Sequence, residues 1–119
     1  MRFNSVLRSA CPIASTLDLI GDKWTLIIVR DMLSGKKKFG DFMESPEGIT
    51  TNILSDRLKM IVDHGLAEKR PYQDRPMRYE YVLTDKGRAL HPTLIEICKW
   101  ANSQIQGTWV PPDWFMSHP

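Results

Sequence analysis

The chain has 119 residues, 42% hydrophobic and 25% charged, with 16 Lys+Arg against 14 Asp+Glu and a formal net charge of +2. That balance suits a globular protein with one core and excludes a disordered tail, a collagen-like repeat and a membrane bundle. The longest apolar runs, such as Leu26 to Val29, are far too short to span a bilayer. So slight a charge excess does not by itself imply nucleic acid, and the distribution of the charges must decide. The N-terminal stretch MRFNSVLRSACP lacks an apolar export segment. Cys11 and Cys98 are too few for a disulfide framework, so the expected compartment is a reducing cytoplasm.

In chain order, Cys11-Pro12 opens a helix, because proline at the first helical position forfeits no hydrogen bond. Ile13, Leu17 and Ile20 give it one apolar face, and Gly21 stops it. Asp22 caps a second helix, Lys23 to Leu33, which is apolar on nearly every side and therefore central. Lys36-Lys37-Lys38 leads into a short helix, Phe39 to Glu44, and Ser45-Pro46-Glu47-Gly48 makes a turn. Thr50 caps a long helix that ends at Gly65. Leu54, Leu58 and Ile61 form its apolar stripe, widened by Ile53 and Val62. The opposite face carries Asn52, Asp56, Lys59 and Asp63, with Ser55 on its edge. LAEKRPY and YEYVL then alternate apolar and polar residues, which predicts two strands joined by the polar turn QDRPMR. Thr84-Asp85 caps a helical stretch from Lys86, which Pro92 bends or interrupts. Beyond it Leu94, Ile97, Cys98, Ala101 and Ile105 share a stripe ending at Gly107. The tail WVPPDWFMSHP, rich in proline and aromatics, is expected on a surface, its own or a partner's.

This order reads as one domain, residues 1–119, with a core at 11–107 and an extra C-terminal tail at 108–119. The predicted fold class is mainly α with a small β-hairpin. A short helix, a glycine-containing turn and a long amphipathic helix make a helix-turn-helix, and the hairpin behind it stands where a wing would. A winged helix reads the major groove with the long helix and offers cations to phosphates through the wing. Thr50, Thr51, Asn52, Ser55 and Arg57 cluster in the first two turns of the long helix, where the helix dipole adds partial positive charge. Lys59 follows one turn later. Between Lys69 and Arg78 stand four cations (Lys69, Arg70, Arg75 and Arg78) against one carboxylate, Asp74. Lys38 precedes the motif as a candidate backbone contact. Asp56 on the reading face either accepts from a cytosine amino group or, the preferred reading, orients Arg57 or Lys59 by pairing.

Each feature alone is ordinarily a solvated surface; their joint occurrence in winged-helix order points to DNA. The glycines form neither a dinucleotide fingerprint nor a P-loop. His64, His91 and His118 have no metal-ligand spacing with each other or with the cysteines. His64 reads as a helix C-terminal residue favoured by the dipole. No catalytic residue, metal or cofactor is therefore assigned. The rival to DNA readout is a winged helix used for protein or RNA contact.

The pieces CPIASTLDLIGDKWTLII, KKKFGDFMES, EGITTNILSDRLKMIVDHGLAEKRPY, RPMRYEYVLTDKG and LIEICKW occur in one order. In this the chain resembles the HxlR-type winged helix-turn-helix transcriptional regulators, small bacterial DNA-binding proteins, over roughly residues 11 to 100. The resemblance implies a cytoplasmic homodimer, a repressor in the first instance, on a double-stranded DNA operator. The terminal helices would form the dimer, here through Ile13, Leu17, Ile20, Leu94, Ile97, Ala101 and Ile105. Two recognition helices would then lie about 34 Å apart, matching successive major grooves. Some family members sense electrophiles or oxidants through a cysteine at the position of Cys11. Here a helix N-terminus and the nearby Arg8 would favour its thiolate, which makes Cys11 a candidate redox sensor and adds a small-molecule or electrophile effector to the partners. A Cys11–Cys98 bond across the dimer is one way to register oxidation, although Cys98 on the apolar stripe reads first as packing. Many relatives carry a cation where Asn52 stands, so the resemblance does not carry a phosphate contact over to that position. The tail after Gly107 lies outside the resemblance.

Overall fold

The computed structural model describes residues 7–117; His118 and residues 1–6, at the start of the stretch read for an export segment, lie outside them. The elements are α1 (Pro12–Ile20), α2 (Thr25–Leu33), α3 (Phe39–Met43), α4 (Thr51–Asp63), β1 (Ala67–Asp74), β2 (Met77–Leu83), α5 (Asp85–Arg88), α6 (His91–Gln104) and α7 (Asp113–Met116). This is a mainly helical winged helix-turn-helix with a two-stranded antiparallel hairpin. The core forms where α2, α3 and α4 meet. Ile28, Val29, Phe42, Leu54, Leu58 and Ile61 are its largest fully buried side chains. Each such side chain contributes about 1.5–3 kcal/mol by leaving water, so this junction dominates the packing energy. α2 also packs against β2 and α6, which explains why it is apolar on several sides.

Local chemistry sets the boundaries. α2 starts at Thr25 rather than Lys23. The Asp22 carboxylate accepts hydrogen bonds from the backbone N–H groups of Trp24 (2.9 Å) and Thr25 (3.0 Å), so residues 22–24 form a capping turn. The hairpin is longer than its alternation predicts. Pairing runs from Ala67 opposite Leu83 to Asp74 opposite Met77, which leaves Arg75-Pro76 as the turn in place of the six residues QDRPMR. A bulge between Pro71 and Gln73 breaks the alternation there, so the outer rungs carry polar residues that no period-2 pattern reveals. On the other side of β2, the Tyr81 N–H donates to the Lys37 carbonyl (2.8 Å), and Lys38 bridges to Glu80. The lysine run is thereby laid along the wing.

Pro92 starts a helix instead of interrupting one. It occupies the first turn of α6, where proline is tolerated, and the break with α5 falls before it at Ala89-Leu90. The tail also departs from expectation. Phe115 is buried, its ring centroid 4.4 Å from that of His91, and His91 Nε2 hydrogen-bonds the Phe115 carbonyl oxygen at 2.9 Å. Residues after Gly107 thus contribute to the core, although Trp109, Val110 and Trp114 remain exposed. Two residues expected on a dimer face, Ile20 and Leu94, lie in the chain's own core. Ile13, Leu17, Ile97 and Ile105 do face solvent, and Ala101 is half-buried. Among the described residues no helix is long and apolar enough to cross a membrane.

The segment after β2 clamps the end of α4. Gly65, with φ of 74°, turns the chain out of α4 in a conformation that favours glycine. The Thr84 hydroxyl donates to the Gly65 carbonyl (2.5 Å), and Lys86 Nζ donates to that of His64 (2.8 Å). Gly87 lets this segment approach, because a Cβ there would overlap the Leu66 carbonyl oxygen and crowd Leu83. Gly87→Ala is expected to lower the unfolding free energy by about 1–3 kcal/mol, as overpacking does. Gly40→Ala, with open space around it, should be neutral or stabilising by up to about 1 kcal/mol. Urea denaturation of both variants checks this; equal midpoints would remove Gly87 from the clamp.

Candidate nucleic-acid interface

α3 and α4 are the two helices of the helix-turn-helix, and the turn between them is anchored from behind. Arg30 of α2 donates from Nη1 and Nη2 to the Glu47 carboxylate (2.8 and 2.9 Å) and from Nη2 to Ser45 Oγ (3.0 Å). Its Nε and Nη2 also reach Asp31 Oδ1 (3.1 and 2.9 Å). Ser45 Oγ donates in turn to Glu47 Oε1 (2.7 Å). The hydrogen bonds from Arg30 are the largest influence on Glu47 and push its pKa down to about 2. Sequence reasoning missed this network. Its signal was the pair Arg30-Asp31 on an otherwise largely apolar helix and a carboxylate in the turn that follows α3.

So placed, α4 presents its first turns to solvent. Thr50 Oγ1 accepts from the Ile53 N–H (3.4 Å), and Thr50, Thr51, Asn52 and Ser55 are exposed. Leu54, Leu58 and Ile61 bury the opposite face. Arg57 does not join the exposed set. It is half-buried, hydrogen-bonded to Asp56 and 3.5 Å from Asp22, so it ties α4 to the turn before α2. Asp56 raises its pKa most, with Asp22 adding to the effect. Lys59 is exposed and pairs with Asp63 at 2.7 Å, an i,i+4 surface pair that gives way at little cost.

The wing gathers cations that the sequence scatters. Lys38, Lys69 and Arg78 line one groove of about 300 Å³ together with Tyr72 and Tyr79. Lys38 Nζ lies 4.4 Å from the Tyr72 ring centroid, and Lys69 Nζ 4.4 Å from that of Tyr79. Arg75 and Arg78 are exposed and carry no ion pair among the described residues, whereas Arg70 is paired with Glu68. The two tyrosines were not among the expected site residues. The alternation of aromatic and basic residues in the hairpin was the available signal.

Cys11 stands exposed at the N-cap of α1. The backbone N–H groups of Ala14, first, and Ile13 hold its thiol pKa below the usual value. Arg8 is not the stabilising neighbour: its Nε donates to Asp18 Oδ1 (2.6 Å) and its backbone N–H to Asp18 Oδ2 (3.1 Å). Cys98 is half-buried, and burial pushes its thiol up. Among the described residues no group of three or more His, Cys, Asp or Glu is placed to hold a metal ion.

Residues 19–108 match the model of the HxlR-like helix-turn-helix family. The chain belongs to this family. It is therefore a transcription regulator with a DNA-binding helix-turn-helix, not an enzyme. The HTH-type transcriptional regulator sll1512 of Synechocystis is 31% identical over 96 residues, which span 81% of this chain and 71% of that protein. Rv3095 of Mycobacterium tuberculosis, also an HTH-type transcriptional regulator, is 35% identical over 100 residues, 84% of this chain but only 63% of its own length. Among solved structures, the redox regulator HypR in its reduced form superposes with a TM-score of 0.73 at 34% identity, covering 80% of this chain and 94% of that one. Its oxidized form gives 0.71 at 35% identity over 79% and 97%.

Glu47 gives the anchoring network a pH signature. Its folded pKa lies below the usual 4.5, so its contribution to stability is complete above about pH 4.5 and is lost as the pH falls toward 2. The stability difference between the parent chain and Glu47→Gln should be constant near neutrality and shrink toward zero across that window. Urea titrations at stepped pH measure it, and a difference as large at pH 2 as at pH 6 would detach Glu47 from the network.

Proposed function

We propose that this regulator works in the cytoplasm as a homodimer that grips an operator-like double-stranded DNA site, represses transcription there, and responds to oxidants or electrophiles through Cys11. The observation that carries the reading is the convergence of Lys38, Lys69 and Arg78 on one groove of the wing, in a chain whose net charge is only +2. Phosphates are the partner such a local excess of cations fits. Thr50, Thr51, Asn52 and Ser55 meet base edges or phosphates at the N-terminal end of α4, and Lys59 joins them when it leaves Asp63. Lys38, Arg75 and Arg78 neutralise backbone phosphates. Arg57 positions α4 and does not touch DNA.

The dimer face comprises Ile13 and Leu17 of α1 with Ile97, Ala101 and Ile105. Ile13 is 72% exposed, Leu17 54%, Ile97 46% and Ile105 48%. Such a set of large aliphatic side chains in water favours burial against a second copy. Cys11 stands two residues from Ile13, so a change at its sulfur acts on that face and through it on the spacing of the two recognition helices. The likeness to a redox regulator supports this part of the reading.

Selection of a duplex from a random pool, followed by binding titrations at several salt concentrations, tests the proposal. Log affinity should fall against log salt with a slope of about −0.9 per phosphate contacted. Arg75→Ala with Arg78→Ala should weaken binding to all duplexes and flatten the slope by about two contacts' worth. A slope near zero in the parent chain would favour a protein-contact module. Cys11→Ser should bind the same duplex unchanged and ignore diamide or quinone; a serine variant that still responds places the sensor elsewhere.

A further inference from the structure

Residues 109–117 lie beyond the family match, and several of them close one side of an apolar cavity of about 580 Å³. Leu26 and Ile27 of α2, Leu94 and Ala101 of α6, and Trp109 and Trp114 of the tail supply its walls. Arg30 and Asp31 are the only charged residues among those that line it. Asp31 is 5% exposed; its Oδ1 accepts from Arg30, while its Oδ2 is buried without a hydrogen-bond partner. A buried carboxylate oxygen in that state is costly and calls for a donor. The charges are also unbalanced. The single positive charge of Arg30 serves both Asp31 and Glu47, which leaves the cluster one negative charge in excess.

We propose that this cavity binds an organic monocation: an apolar or aromatic body held between the tryptophans and the α2–α6 wall, bearing a protonated amine that pairs with the Asp31 carboxylate once its side chain turns Oδ2 into the cavity. The volume is that of a small-molecule site. Tryptophan faces attract cations, and the excess carboxylate disfavours anions. The site is separate from Cys11. It touches the reading head through Arg30, whose fork holds Asp31 on one side and Glu47 and Ser45 of the turn before α4 on the other. An ammonium drawn to Asp31 competes for the carboxylate that orients Arg30, and so acts on the placement of α4. This coupling rests on the DNA reading above; the binding does not.

Calorimetric titration of the full chain with 2-(1-naphthyl)ethylamine, 2-(1-naphthyl)ethanol and 3-(1-naphthyl)propanoate tests the site. The amine should bind at least tenfold more tightly than the alcohol, and the carboxylate more weakly than both. Asp31→Asn should abolish the advantage of the amine and spare the alcohol. Trp109→Ala with Trp114→Ala, at exposed positions, should weaken amine and alcohol alike by at least fivefold, and decides the matter if Asp31→Asn does not fold. Equal affinities for amine and carboxylate, or an amine advantage that survives Asp31→Asn, overturn the proposal. So does an amine that fails to bind a sedimenting dimer which the tryptophan variant dissociates, since the cavity is then covered by a second copy. In saturating amine, affinity for the selected duplex should shift at least threefold. A bound amine with unchanged DNA affinity overturns the coupling alone, and absent DNA binding without amine overturns the DNA reading alone.

Discussion

Arg30 ties the central helix, α2, to the turn between the two helices of the helix-turn-helix. It grows from the most buried helix, stands beside a buried aspartate, and reaches across to the glutamate and serine of the turn that precedes the recognition helix. A lysine could not do this. Its ammonium is a point charge, whereas the guanidinium is a rigid fork able to hold two carboxylates and a hydroxyl at once. A partly buried ion pair adds modest net stability, because desolvation offsets part of the attraction. What it supplies is direction: the turn at residues 45–48 has one low-energy seat, and α4 leaves that seat at one angle.

From the other end, α4 is held by backbone carbonyls. Thr84 and Lys86 hydrogen-bond the carbonyls of Gly65 and His64, the two residues that follow the helix, and the missing side chain of Gly87 lets them come close. Arg57 fixes the middle through Asp22 and Asp56. A probe inserted into a groove must keep its angle to within a small tolerance, and these tethers provide that while leaving Thr51, Asn52 and Ser55 free of structural duty. The same logic divides the cations. Arg30 and Arg57, each shared between two carboxylates, hold the frame, whereas Arg75 and Arg78 at the wing tip carry no ion pair among the described residues.

The cavity under the tail adds a second layer. The walls come from α2 and α6, which the family shares, but part of the roof comes from residues after 108, where the family match stops. Phe115 anchors that roof beside His91. Residues beyond the family match thus enclose a volume next to Asp31, the one buried carboxylate among the described residues and one that the frame leaves half-satisfied.

Short-range chemistry made much of the fold legible. Pro12 at a helix start, the Thr50 cap, the stripe of Leu54, Leu58 and Ile61, and the alternation in both strands are each set by residues a few positions apart. The helix-turn-helix with its wing followed from their order. The misplacements share one cause, that the deciding partner is distant or of unexpected kind. The side chain of Asp22 took over the first turn of α2. The outer rungs of the hairpin are held by main-chain pairing that polar side chains conceal. Phe115 found its place against His91, 24 residues away. At the site, the polar face of α4 and the basic wing were readable because surface residues need only composition and period. That Arg57 turns inward, that Arg30 governs the turn, and that Lys38 meets the wing across the Tyr72 ring were decided by tertiary structure alone, since a charge reveals its role only when the chain has brought its counter-charge within reach.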